Sequence, residues 1–155
     1  MEGANLSSDR GGQPLLWGNY AMQAHAYVAV VTILAILTYF WMGLQVGAAR
    51  QKSGIAAPAM TGDPVLERTI RAHYNTLEWL PIFLPALWLF AIYWDSRIAA
   101  ALGLLWIVGR IVYQRGYVAD AGKRSTGFLI QLVATALLLF GALGKIAYGL
   151  ITGAA

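Results

Sequence analysis

Four segments of the chain are almost entirely apolar, and each contains a long stretch without a charged residue. These charge-free stretches lie between Arg10 and Arg50, Glu78 and Asp95, Arg97 and Arg110, and Arg124 and Lys145. A helix needs about 20 mostly apolar residues to cross the hydrocarbon core of a bilayer. We therefore predict transmembrane helices at about residues 22–48, 68–94, 97–117 and 125–149. The alternating pattern of barrel strands is absent, so the predicted fold class is all-α, an integral membrane four-helix bundle.

The segments outside the predicted helices carry turn signals. The loop from Gln51 to Pro64 is rich in glycine and proline, and Pro64 suits the first position of a helix. The connection around Asp95-Ser96 is very short, which predicts an antiparallel hairpin of the second and third helices. Residues 1–20 lack the apolar core of a secretory signal, so we expect a flexible tail before a single domain at 21–155.

The composition agrees with a membrane protein and excludes several kinds of chemistry. Hydrophobic residues make up 59% of the 155 residues and charged residues 12%, about half of the ~25% found in soluble domains. The chain has no cysteine, which excludes disulfides, thiolate metal sites and a cysteine nucleophile. The net charge of +4 comes from dispersed Lys and Arg residues, so we expect no nucleic acid partner.

The distribution of Lys and Arg predicts the orientation in the membrane. Positive residues concentrate in cytoplasmic loops, and the two sides of the predicted bundle differ, with Arg50, Lys52, Arg68, Arg71, Arg115, Lys123 and Arg124 on one and Arg10, Arg97 and Lys145 on the other. The loops after the first and third helices are thus expected in the cytoplasm, with both termini on the opposite side. We expect a bacterial inner membrane, and an endoplasmic-reticulum-type membrane stays open because no targeting motif is visible.

A polar stripe interrupts the second predicted helix. Arg71, Asn75 and Glu78 stand at positions i, i+4 and i+7, which lie on one helical face. Charged residues inside a bilayer cost on the order of 2.5–3.5 kcal/mol on insertion scales, so they are candidates for function. His73 points away from this stripe, and we keep it as a further candidate ligand.

A second stripe lies on the third predicted helix, where Arg110, Tyr113 and Tyr117 stand at i, i+3 and i+7. Stripes on two neighbouring helices of a hairpin can face one cavity. Arginine recognises carboxylates through two parallel hydrogen bonds, so these cations predict an anionic ligand and leave Glu78 for a ligand ammonium. Arg124 adds another positive charge just before the fourth helix.

The same residues also allow a purely structural explanation. Arg71 would pair with Glu67 one turn earlier, Glu78 and Arg110 would neutralise each other, and the tyrosines would anchor the helices at the interface. The two histidines are too isolated to form a metal site, so we expect no metal.

Three stretches resemble the MAPEG superfamily, the membrane-associated proteins in eicosanoid and glutathione metabolism. The sequence from Glu67 to Pro81 is similar to that family's second-helix signature, Arg-Ala-x-x-Asn-x-x-Glu followed by an aromatic residue and a proline. The stretch from Gly109 to Tyr117 resembles the third-helix element Arg-x-x-Tyr-x-x-Gly-Tyr of the leukotriene-forming branch. Leu44 to Arg50 resembles the end of the first helix in that branch. The resemblance extends over about residues 22–150.

This resemblance implies a homotrimer that binds glutathione as co-substrate between neighbouring subunits and takes a lipophilic substrate from the membrane lipids. It implies that Arg124 is catalytic and stabilises the glutathione thiolate, since a nearby cation lowers the pKa of a thiol. Together with the candidates from the residues themselves, the expected glutathione-binding residues are Arg50, Arg71, His73, Asn75, Glu78, Trp79, Arg110, Tyr113 and Tyr117.

Departures from the family pattern affect the expected activity. Gln51 replaces a second arginine of the leukotriene-forming enzyme, which argues against leukotriene formation as the activity. Trp79 replaces a tyrosine, so one phenol contact is lost. Ser125 after Arg124 resembles a pair in the prostaglandin E synthase branch, although a serine there is equally an N-cap. The non-enzymatic branch lacks the arginine and glutamate of the second helix, which favours an enzyme here.

The resulting hypothesis is a membrane-bound glutathione transferase with glutathione-dependent peroxidase activity as a further possibility. It would attack lipophilic electrophiles or lipid hydroperoxides with the glutathione thiolate. The alternatives are a non-catalytic lipid-binding protein on the same scaffold and a small transporter or channel built on a trimer axis.

Overall fold

The computed structural model describes residues 25–153, so the predicted tail at 1–20 lies outside the described residues. The described chain is all-helical, and its long helices are α1 (Ala26–Ser53), α2 (Pro64–Tyr93), α3 (Ser96–Ala119) and α4 (Ser125–Thr152), with a short 3-10 helix, η1 (Ala121–Arg124), directly before α4. All four helical segments are long and apolar enough to cross a membrane. The predicted integral membrane four-helix bundle is confirmed.

The helix ends follow from capping residues that the sequence displays. Asp63 accepts a hydrogen bond from the backbone N–H of Leu66 at 2.7 Å and starts α2, with Pro64 in its first turn. Asp95 caps α3 in the same way, through the N–H groups of Arg97 and Ile98. Only Trp94 and Asp95 separate α2 from α3, and the two helices pack against each other, so the antiparallel hairpin is confirmed. The first and second helices extend further at their shared loop than the predicted 22–48 and 68–94, because charged residues such as Arg50, Lys52 and Glu67 lie inside the helices.

Aromatic and aliphatic side chains fill the centre of the bundle. Phe83 of α2 stacks on Trp106 of α3 with ring centroids 4.0 Å apart, and both rings are fully buried. Trp88 donates a hydrogen bond to Thr32 of α1 at 3.1 Å. Large apolar side chains such as Phe140 are exposed on the outside, which suits contact with lipid chains.

Helices α3 and α4 approach each other to backbone contact at two glycines. A Cβ atom on Gly109 would lie 2.8 Å from the backbone nitrogen of Gln131, and one on Gly127 would overlap the backbone of Tyr113. Small residues allow such close approach of membrane helices. This contact brings the start of α4 next to the tyrosines of α3.

We predict that Gly127→Ala destabilises the bundle by about 1–3 kcal/mol, because the added methyl group must push α4 away from Tyr113. The melting temperature of detergent-solubilised protein, followed by helical circular dichroism, measures this change. Gly47→Ala is the matched control, since a Cβ atom at Gly47 meets no atom within 4 Å. Equal melting temperatures for the two variants would contradict the close α3–α4 contact.

Candidate functional site

A cavity of about 570 Å³ opens where α2, α3 and the start of α4 meet, and its volume lies within the range of small-molecule sites. Cationic, amide and phenolic side chains line one part of it and apolar side chains the other. The lining residues are Arg71, Asn75, Tyr113, Tyr117, Arg124, Ser125, Phe128, Leu129 and Leu132. The structure thus brings together members of both polar stripes with Arg124.

The turn between α3 and α4 places Arg124 at this cavity. Asp120 accepts a hydrogen bond from the backbone N–H of Gly122 at 2.8 Å and thereby starts η1. Arg124 ends η1, and its guanidinium carbon lies 5.3 Å from the ring centroid of Tyr117. The Tyr117 ring in turn lies 5.6 Å from that of Tyr113. A cation and two phenols therefore adjoin one another at the polar part of the cavity.

The stripe on α2 carries an open ion pair. Arg71 lies 3.8 Å from Glu78, and the two side chains are 61% and 55% exposed. The amide nitrogen of Asn75 donates to Glu78 at 3.3 Å. The alternative pairing of Arg71 with Glu67 is wrong, since Glu67 accepts instead from the backbone N–H of Gly62 at 2.9 Å. Exposed ion pairs contribute at most about 1 kcal/mol, so a charged ligand can replace this one.

Arg110 lies beneath the cavity rather than on its surface. Its side chain is fully buried, and its guanidinium donates to Gln131 Oε1 at 2.6 Å and to Asn75 Oδ1 at 3.1 Å. It also donates to the hydroxyl of Thr76 and to the carbonyl of Ala72. No carboxylate of residues 25–153 lies within ion-pair distance of Arg110, so the expected direct ion pair of Glu78 with Arg110 does not form.

The tyrosines differ in their surroundings. Tyr113 is buried, and the guanidinium carbon of Arg110 lies 4.5 Å from the centroid of its ring. Tyr117 is half-buried. The suggestion that both tyrosines only anchor helices at the membrane interface is therefore wrong for Tyr113, which packs inside the bundle.

Glu78 is not among the lining residues of the cavity, but it contacts Arg71 and Asn75, which are. Three further candidates do not line the cavity within one chain either. Arg50 donates to the carbonyl of Ala59 at 2.6 Å and so closes the loop after α1. His73 stacks on Tyr39 of α1 with ring centroids 4.4 Å apart. Trp79 lies at the edge of the cavity, where it packs edge-on against the lining residue Phe128 at 5.7 Å.

The sequence did not indicate the apolar side chains that α4 contributes to the cavity. Phe128, Leu129 and Leu132 form the apolar wall, and such residues are common on any membrane helix. Gln131 had a visible signal, because it is the single amide in the apolar run of α4 and polar groups in such runs usually have a role. Ser125 is not an N-cap, since Arg124 occupies that position without a side-chain capping bond.

Comparison with known proteins places these features in a family. Residues 28–144 match the sequence model of the MAPEG family. An uncharacterized protein of Synechocystis sp. is 48% identical over 79% of this chain and 89% of its own length. Microsomal glutathione S-transferase 2 of Homo sapiens is 45% identical over 76% of this chain and 80% of its own. Leukotriene C4 synthase of Bos taurus is 36% identical over 81% of each chain.

Proposed function

The chain belongs to the MAPEG family, and on that premise we propose that it is a membrane-bound glutathione transferase. It conjugates glutathione to lipophilic electrophiles. In the same site, two glutathione molecules reduce a lipid hydroperoxide to the alcohol and water and leave as glutathione disulfide. The observation that carries the proposal is the mixed lining of the cavity, where Arg71, Asn75 and Arg124 share one cavity with the apolar side chains of Phe128 and Leu132, about one and two turns further along α4. Relatives that are named as a glutathione transferase and as leukotriene C4 synthase support it further.

Glutathione matches the charges of the polar part. It carries two carboxylates, one ammonium group and one thiol. Arg71 binds a carboxylate, for which a guanidinium has the right geometry. Glu78 then exchanges its loose contact with Arg71, at 3.8 Å, for the ligand ammonium. Asn75 donates a further hydrogen bond from its amide, and the hydroxyl of Tyr117 closes the site from α3.

Arg124 activates the thiol. A cation beside a thiol favours the thiolate and lowers its pKa, and each unit corresponds to about 1.4 kcal/mol. Arg124 is exposed at the cavity beside Tyr117, so its charge is available to a ligand sulfur. The thiolate then forms a carbon–sulfur bond to an electrophile held against Phe128, Leu129 and Leu132. Either the leaving group departs with the electron pair of its bond, or an added double bond takes up a proton.

A second subunit completes the site in this proposal. Arg71 and Glu78 are more than half exposed in one chain, and Arg50 and His73 do not line its cavity. In a homotrimer the neighbouring subunit supplies Arg50 and His73 to the open side. We place the loops after α1 and α3 in the cytoplasm of a bacterium, so the polar part of the cavity opens toward the compartment where glutathione is kept reduced.

We predict that Arg124→Ala shifts the pH dependence of kcat toward the ordinary thiol pKa of about 8.5, because the thiolate loses its cation. At neutral pH, kcat should fall about tenfold for each unit of the shift. The affinity for glutathione should change less than about threefold, since Arg71 and Glu78 remain. Conjugation of chlorodinitrobenzene at saturating glutathione, from about pH 6 to 9, measures the profile.

Arg124→Lys serves as the matched control, because it keeps the positive charge and should retain part of the shift. If the pH profile of kcat for Arg124→Ala superimposes on that of the wild-type protein, Arg124 takes no part in activating the thiol. Equal losses of affinity and rate without a shift would make it a binding residue only.

We predict that Arg50→Ala and Arg71→Ala, each nearly inactive alone, restore activity when they are co-expressed. If the two arginines meet across a subunit interface, random mixed trimers contain about a quarter of sites with both arginines intact. Conjugation activity of the purified mixture should therefore approach about a quarter of the wild-type value.

Arg71→Ala with Asn75→Ala is the control pair, since both residues lie on one subunit's α2 and no mixed site regains both. Equal activity in the two mixtures would argue against the shared site.

A further inference from the structure

Arg110 is a buried cation that is held by neutral oxygen atoms. Its hydrogen-bond acceptors belong to Ala72, Asn75 and Thr76 on α2 and to Gln131 on α4. A buried charge without such partners is strongly destabilising. The contact with Gln131 Oε1, at 2.6 Å, is the one from α4, and it is made by the same nitrogen, Nη1, that donates to Asn75. This glutamine therefore ties the guanidinium to α4 at the point where it meets Asn75.

Arg110 also determines which way the amide of Asn75 faces. A guanidinium has N–H donors and no acceptor, so it can meet Asn75 only through the carbonyl oxygen Oδ1, at 3.1 Å. The amide nitrogen therefore points the other way, where it donates to Glu78 at 3.3 Å. Because Asn75 lines the cavity, it faces a ligand there as a hydrogen-bond donor.

Among residues 25–153, the side chain of Gln131 makes no polar contact other than the one with Arg110. Its side chain is fully buried, and its amide nitrogen has no hydrogen-bond partner among residues 25–153. It does not line the cavity. The hydrogen bond to Arg110 is thus the polar contact that its side chain makes in the described part of the chain.

We propose that Gln131 and Arg110 are positioning residues, which hold Asn75 with its N–H groups toward the cavity and so select a ligand with an acceptor oxygen at that point. A carboxylate or peptide carbonyl of glutathione provides such an oxygen. The inference rests on the proposed function for the identity of the ligand. In this proposal Arg110 does not touch glutathione as the sequence had suggested, but acts on it through Asn75.

The test compares glutathione binding to full-length protein in detergent, measured by calorimetry, for three single variants. Gln131→Met keeps the length of the side chain and removes the acceptor, and we expect it to raise the Kd about tenfold. Gln131→Glu keeps an oxygen beside Arg110 and should remain within about threefold of the wild type. Gln114→Met is the matched control, a buried glutamine of α3 that lines a different cavity, and it should leave the Kd unchanged.

A double-mutant cycle separates positioning from a general structural effect. In an Asn75→Ala background Gln131→Met should cause no further loss of affinity, because the group that it positions is gone. The pH profile of kcat should stay that of the wild type, since Arg124 is untouched. If Gln131→Met does not fold, Gln131→Asn is used in the same cycle, because its shorter side chain withdraws the acceptor and stays polar.

The inference is overturned, and the proposed function stands, if the wild type binds glutathione and Gln131→Met binds it equally well. A tenfold loss that persists in the Asn75→Ala background would overturn it too. Failure of the wild-type protein to bind glutathione would contradict the proposed function itself and this inference with it. The wild-type titration therefore distinguishes the two failures.

Discussion

A guanidinium buried within a membrane bundle has to find acceptors for its N–H groups, and in this chain that requirement falls on Arg110. No carboxylate of the described residues pairs with it, so neutral oxygens of α2 and α4 take that place. Because Arg110 itself is on α3, the same side chain connects three helices. Its position fixes the orientation of Asn75 and supports the ring of Tyr113 at 4.5 Å. The need of Arg110 for hydrogen-bond acceptors thus determines how the side chains at the base of the cavity are arranged.

The cavity above Arg110 has an excess of positive charge. Arg71 and Arg124 line it and Arg110 lies below, whereas no carboxylate of residues 25–153 lines it and Glu78 contacts Arg71 beside it. Electrostatic attraction is stronger where water is excluded, so an anionic ligand gains most from this arrangement. The apolar wall from α4 lies on the same cavity, which explains how a polar co-substrate and a lipophilic substrate can share one site.

The sequence was sufficient for the parts of the fold that depend on local chemistry. Charge-free segments predicted the four spans, and Asp95 with its neighbouring serine predicted the tight α2–α3 hairpin. Residue spacing predicted that Arg71 and Asn75 share a face with Glu78. Spacing gives the direction of a side chain but not its depth, so it could not distinguish the buried Arg110 from the exposed Arg71.

Residue spacing along the sequence could not predict contacts between distant segments of the chain. The meeting of Gly127 with the backbone of Tyr113 depends on how α3 and α4 cross, and the partnership of Gln131 with Arg110 depends on that crossing. The loop contact of Arg50 with Ala59 likewise joins residues whose approach no periodicity predicts. Each of these contacts needs the three-dimensional structure because its partners lie on different elements.

The central claim is that this cavity binds glutathione and ionises its thiol. Ultraviolet difference absorbance at about 240 nm, where a thiolate absorbs and a thiol does not, tests it directly in detergent-purified wild-type protein at neutral pH. We expect a thiolate signal that rises with added glutathione and saturates. A folded protein that gives no thiolate signal at any glutathione concentration would contradict the account.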